Sequence, residues 1–152
     1  MAAKRKRLYY LGLAIILGLM VFVGSANAAV TKAPPDIKAG STAGIESYQY
    51  LQDGRCFLID GGGGIISLTG YTEAYQDVDY IMVRLYIQRW NGESWVDLGS
   101  WPFEDYGVSK VDGAKGLQVA RGYYYRTKAD HKLTHNGVNE SAISFSEAHL
   151  IY

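Results

Sequence analysis

From Gly122 to His131 the chain alternates in character with a period of two. Tyr123, Tyr125, Thr127, Ala129 and His131 fall on one side, and Tyr124, Arg126, Lys128 and Asp130 on the other. Successive side chains of a strand point to opposite faces, so the charged set marks the solvent side and the first set the core. The same period recurs upstream. Ile66, Leu68, Gly70, Thr72 and Ala74 oppose Ser67, Thr69, Tyr71 and Glu73. Ile81, Val83, Leu85 and Ile87 oppose Met82, Arg84, Tyr86 and Gln88 within Val78–Trp90. Their β-branched and aromatic content favours strand over helix. Turn signals punctuate these runs. Asp53-Gly54 separates the candidate strands Ile45–Leu51 and Arg55–Asp60, Gly61 to Gly64 form a turn or bulge of positive φ, and Tyr75-Gln76-Asp77 is a connection. Asn91-Gly92 predicts a type I′ hairpin that returns Trp95–Trp101, and Pro102 ends or edges that strand. Phe103 to Gly116 is the least regular part, with a short strand at Val108–Asp112 and a loop bounded by Gly113 and Gly116. Asn136-Gly137 is a second hairpin signal, leading into one extended or broken strand over Val138–Tyr152. Seven or eight short strands with no helical period predict an all-β fold, an antiparallel β-sandwich. A jelly roll or small barrel stays open, because connectivity does not follow from periodicity.

The N-terminus follows another pattern. Lys4-Arg5-Lys6-Arg7 precedes an apolar run from Leu8 to Val23, and Ala26-Asn27-Ala28 has the small-x-small form of a signal-peptidase site. Residues 1–28 are expected to be a signal peptide cleaved after Ala28, with the cations held on the cytoplasmic side. The alternative is an uncleaved N-terminal membrane anchor, since Leu8–Gly24 nearly spans a bilayer. Residues 29–44, rich in Pro and Gly, read as a flexible lead-in, and residues 45–152 as a single domain. Loss of the four cations at positions 4–7 leaves eleven Lys/Arg against fifteen Asp/Glu, a formal net charge of −4. That balance argues against nucleic acid and anionic lipid as partners. The one cysteine, Cys56, excludes a disulfide framework. It stands too far from the cleavage site to carry a lipid, so it reads as a half-buried thiol, with pairing between chains as the alternative. Export with so little cysteine fits a secreted, extracellular bacterial protein that has no stable membrane anchor once the signal is removed.

Leu117 lies six residues before Tyr123, and apolar positions then alternate through Tyr125 and Thr127 to Ala129. This stretch resembles the E–F corner of fibronectin type III and Ig-like sandwiches. The resemblance implies that Leu117, Tyr123 and Tyr125 are structural, and that the Tyr123 hydroxyl caps a corner. Ala120-Arg121 departs from the Pro-Gly usual there, and Thr127 from an aliphatic. A wider set resembles a family of small exported Firmicutes proteins defined only as a domain of unknown function (DUF6147-like). It comprises Gly70-x-Thr72, Leu85-x-Ile87-Gln88-Arg89, Trp95-x-x-Leu98-x-Ser100-Trp101, Gly122-Tyr123-x-Tyr125-Arg126 and Asn136-Gly137-x-x-Glu140-Ser141. That resemblance implies secretion and a compact β-fold, and carries no catalytic residue.

The chemistry-bearing residues do not converge in sequence. His131 and His135 have a metal-like spacing, but on a strand entering a turn and with no acid between them; they read as packing or surface histidines. Asp77 and Asp79 are too few oxygens for calcium. Glu104-Asp105 diverge on an extended chain and make a poor acid/base pair. No serine stands in a nucleophile motif. The expected protein is therefore not an enzyme and has no cofactor and no metal. The aromatic inventory says more. Trp90, Trp95 and Trp101 cluster in or beside one hairpin, Trp95 and Trp101 share strand parity, and Tyr86 lies on the solvent face. Exposed aromatic faces stack on sugars and anchor protein contacts. These four residues are the candidate ligand-binding set of a secreted, non-catalytic module for cell-wall glycan or an extracellular protein. The alternatives are an exported structural or accessory domain without a small ligand, and a small secreted hydrolase.

Overall fold

The structure, a computed structural model, describes residues 32–35 and 48–152. The expected signal peptide, most of the lead-in and the strand start at 45–47 lie outside the described residues. Eight strands follow in order: β1 (Leu51–Gly62), β2 (Ile65–Val78), β3 (Tyr80–Trp90), β4 (Trp95–Asp105), β5 (Val108–Gln118), β6 (Tyr123–His135), β7 (Val138–Phe145) and β8 (His149–Ile151). One sheet has the order β1-β2-β5. The other has β4-β3-β6-β7, and β8 pairs with β6 beyond the end of β7. Every pairing is antiparallel. Hairpins close β1–β2, β3–β4 and β6–β7, while the chain changes sheet after β2, β4 and β5. This is the antiparallel β-sandwich expected from the alternation.

The inward positions of both sheets form one apolar cluster. Leu58, Ile66, Leu68 and Val78 meet Ile81, Val83, Leu85, Tyr125, Leu133 and Ile151 across the layers. Leu117 and Tyr123 pack against its margin. Burial of this kind is worth roughly 1.5–3 kcal/mol for each large side chain.

One polar bridge runs through the core. His131, on β6, is fully buried. Its Nδ1 lies 2.9 Å from the Thr72 hydroxyl on β2, in the opposite sheet, and its Nε2 lies 2.8 Å from the Ser144 hydroxyl on β7. Thr72 spends its proton on the Met82 carbonyl, at 2.9 Å. Nδ1 must then donate to Thr72 and Nε2 accept from Ser144, which assigns a neutral imidazole protonated at Nδ1. The ring needs a neighbour without a side chain: a Cβ on Gly54 would sit 2.6 Å from His131 Cγ. A second polar link lies one layer along, where the Thr127 hydroxyl donates to the Phe57 carbonyl at 3.0 Å. At the start of β1, the Glu140 carboxylate on β7 accepts from the amides of Gln49, Tyr50 and Leu51 at 2.6, 3.0 and 2.7 Å. The Tyr48 hydroxyl donates to the Ser141 carbonyl beside it. The incoming chain is thereby tied to the opposite sheet.

Several expectations need correction. Asp53-Gly54 is no turn: β1 runs straight through it with a register irregularity between Leu51 and Asp53, because the glycine makes room for the histidine ring. Tyr75-Gln76-Asp77 belongs to β2, although pairing with β5 lapses between Glu73 and Val78. Phe103–Gly116 is strand on both sides of the Tyr106-Gly107 bend: β4 runs on to Asp105, and the strand expected from Val108 continues through Gly113 and Gly116. Of the two readings of Pro102, the edge one holds: it does not end the strand but stands inside β4, an edge strand. Gly113 stands inside β5 because the Phe103 ring occupies the place of its Cβ. The β3–β4 connection is the four-residue loop Asn91–Ser94 rather than a two-residue turn. The Asn91 side-chain oxygen accepts from the amides of Glu93 and Ser94, so it organises the loop without a positive φ of its own. Asn136-Gly137 does form the two-residue turn, with φ of 50° and 78°. The corner tyrosine is Tyr125, not Tyr123. Its hydroxyl donates to the Ala120 carbonyl at 2.9 Å, one inward position deeper along β6, while Tyr123 is half-buried under the Arg89 guanidinium. Arg126, expected in solvent, is 6 % exposed.

Two predictions follow from the core. Burial pushes the His131 imidazole down to about 4 from 6.5. Between those values the unfolded chain binds the proton and the folded one does not, so stability falls as pH drops through the window, by up to about 3 kcal/mol. His131→Gln cannot titrate. It should be less stable than the parent at pH 7 but lose less between pH 6.5 and 4, read as urea midpoints; equal losses would refute the neutral bridge. Tyr125→Phe should cost about 1 kcal/mol and Tyr123→Phe much less, read in the same way.

Candidate functional site

The outer face of the five-stranded sheet carries the clustered chemistry. At its hairpin end Trp90 and Trp95 are the facing pair that closes β3 and β4. Their ring centroids are 5.5 Å apart at an interplanar angle of 56°. Trp90 is 7 % exposed. Its indole N–H donates to the main-chain carbonyl of Lys32 at 2.9 Å. The Trp95 indole nitrogen is buried without a partner among the described residues.

Beside the pair, Arg126 projects from β6 between two rings. Its guanidinium carbon is 4.3 Å from the Trp95 centroid and 4.3 Å from that of Phe145 on β7. Arg126 Nε donates to Gln88 Oε1 at 2.7 Å, and Gln88 Nε2 donates to Asp97 Oδ1 at 2.6 Å. Arg126 Nη1 has no partner among the described residues. Burial lowers the Arg126 pKa to about 10, which leaves the group charged at neutral pH. A desolvated cation between two aromatic faces is held by their quadrupoles, with roughly 2 kcal/mol for a favourable contact. The stack also fixes the Trp95 ring. Along the same face the Tyr86 hydroxyl donates to Asp130 at 2.7 Å, and Lys128 sits 4.5 Å above the Tyr86 ring and 3.6 Å from Asp130. Burial, then the bond to Asp130, raises the Tyr86 pKa.

The candidate set is thus split. Trp90 and Trp95 come together, and Tyr86 lies on their face two rows away with its hydroxyl engaged. Trp101 does not join them. The register slips between Ile87 and Gln88, where β4 carries one extra residue, Leu98. The bulge reverses parity, so Trp101 pairs with Leu85 and packs against the core, with Lys115 lying 5.4 Å over its ring. Shared parity counted along the sequence is therefore wrong for Trp95 and Trp101. Arg126, Gln88, Asp97 and Phe145 also belong to the site, and no sequence motif marks them. Their signal is a row across neighbouring strands, legible only once register is known.

Other chemistry is accounted for by packing. A recess of about 460 Å³ at the free edge of β1 is lined by Cys56, Arg55, Phe57, Glu147 and His149 among others. Burial pushes the Cys56 thiol up to about 11, and it points at the Thr127 carbonyl at 3.5 Å, so it is protonated at neutral pH and a poor nucleophile. Glu104 accepts from the Tyr80 hydroxyl, and Asp79 from the Asn136 amide. Among the described residues no three His, Cys, Asp or Glu side chains converge as a metal would need. Phe57, Ile59 and Ile65 are exposed on the outer face of the three-stranded sheet, an apolar patch without a directional donor.

The stack yields a third prediction. Arg126→Lys keeps a charge but loses the planar fork, and should lower stability by about 1–2 kcal/mol with a shift in tryptophan emission. An unchanged urea midpoint and spectrum would contradict the stacking. No family model, curated protein or solved structure matches the chain, so its own residues carry the functional reading.

Proposed function

We propose that the chain is a secreted, non-catalytic β-sandwich module that binds an extended segment of protein through the Trp90–Trp95 end of its five-stranded sheet. The observation that supports this is the bond from the Trp90 indole to the Lys32 carbonyl: the aromatic pair is already engaged with a polypeptide backbone. An indole N–H only donates, and in an extended chain main-chain carbonyls are its natural acceptors. Stacking on sugar rings asks instead for open, neighbouring ring faces. Trp90 is largely covered, Trp95 lies against Arg126, and Trp101 is on the other side of the sheet, so the geometry favours a protein segment over cell-wall glycan. Export rests on the signal pattern of residues 1–28 and the acidic balance of the remainder. The rigid sheet beneath the site suits recognition, since the positions of its side chains are set before a ligand arrives.

The test is tryptophan emission of the mature chain titrated with extended peptides and, separately, with soluble cell-wall sugar oligomers. Peptides should perturb the Trp90–Trp95 pair, and sugars at millimolar concentration should not. The reverse outcome would assign the site to glycans, and no response to either would remove the binding reading.

A further inference from the structure

The segment that meets Trp90 is Lys32-Ala33-Pro34-Pro35. Its composition is informative. A residue that precedes proline is driven away from the helical region into extended or polyproline-II geometry, which applies to Ala33 and to Pro34. A polyproline-II segment has no internal hydrogen bonds and leaves every carbonyl free to accept. The two prolines have no N–H of their own, so this stretch is rich in acceptors and poor in donors. Those are the complements of an aromatic pair with two indole donors. The resident segment places the Lys32 carbonyl on one of them, and Pro34 is half-buried where it passes. The second donor, Trp95 Nε1, has no acceptor among the described residues. Prolines also arrive pre-ordered, so little conformational entropy is lost when such a segment docks on aromatic rings.

Building on the peptide-binding reading above, we propose that the Trp90–Trp95 end is a receptor for extended, proline-containing segments of another polypeptide, and that Lys32–Pro35 is a resident ligand which such a partner displaces. The partner's chemistry is specified by the site: carbonyls spaced along a stiff extended chain, apolar pyrrolidine rings against the indoles, and no need for a charge. The resident segment lies outside all eight strands, so altering it leaves the sandwich intact.

The experiment uses the full mature chain, labelled with ¹⁵N, and a synthetic peptide reproducing residues 31–36 as the probe. The comparison is between the parent and the double variant Pro34→Gly/Pro35→Gly, followed at the Trp90 and Trp95 indole cross-peaks. A site that is mostly self-occupied weakens apparent affinity in proportion to the free fraction. The peptide should therefore bind the double variant about tenfold more tightly than the parent if roughly nine-tenths of the parent is self-occupied. The variant alone should already move the Trp90 indole resonance. Trp90→Phe in the variant background, with its β6 amide shifts unchanged, should abolish binding. Equal affinity for parent and variant, with the peptide still shifting Trp90, would overturn the resident-ligand inference and leave the peptide-binding reading standing. No shift at either indole in any combination would overturn both.

Discussion

A neutral imidazole at the centre of the sandwich is the constraint on which the two sheets depend. His131 joins Thr72 in one sheet to Ser144 in its own, and each of its nitrogens has one compatible partner. A buried polar group without a partner costs about 1–3 kcal/mol, so the bridge tolerates no sliding of β2 relative to β6 and β7. It dictates Gly54 on β1, because any side chain there would enter the ring. The Thr127 link to Phe57 and the three amides gathered by Glu140 act in the same direction at other levels of the sandwich. Apolar packing supplies most of the stability, while these directional contacts select one alignment of the sheets.

With the layers fixed from within, the outer face of the larger sheet can carry specialised chemistry. Arg126 lies on the nominally wet side of β6, yet Trp95, Phe145 and Gln88 enclose it. An enclosed arginine with no carboxylate in direct contact among the described residues is costly in isolation; flanking rings and the amide bond offset that cost and hold Trp95 beside Trp90. The site is therefore a consequence of cross-strand register. Six residues from β3, β4, β6 and β7 meet because Trp95 pairs with Trp90 and Asp97 with Gln88 beside the hairpin, while the Leu98 bulge turns Trp101 to the other face.

Much of the fold was legible because alternation is a direct imprint of a half-buried strand. β2, β3 and β6 could be read with their faces assigned, and the Asn136-Gly137 turn followed from the positive φ that both residues accept. The misreadings have physical causes. Glycine serves turns and close approaches alike, so the sequence does not distinguish a break at Asp53-Gly54 or Gly113 from the accommodation of His131 and Phe103. A bulge adds one residue without a compositional mark, so the faces of Trp95 and Trp101 could not be told apart. Burial of Arg126 on the charged side of its strand depends on rings from two other strands. Tyr125 replaced Tyr123 at the corner because hydroxyl reach is set by how the Val119–Gly122 connection folds back, which periodicity does not encode. Of the candidate site, the aromatic hairpin was visible and its docked segment was not, since Lys32 and Trp90 lie far apart in sequence.

The role of the aromatic pair depends on its hold on a main chain. The direct measurement is the nuclear Overhauser pattern and hydrogen-exchange rate of the Trp90 indole N–H in a chain of residues 29–152 at neutral pH. A docked segment gives a protected proton with cross-peaks to the α-protons of Lys32 and Ala33. A rapidly exchanging indole with no cross-peak to that segment would contradict it.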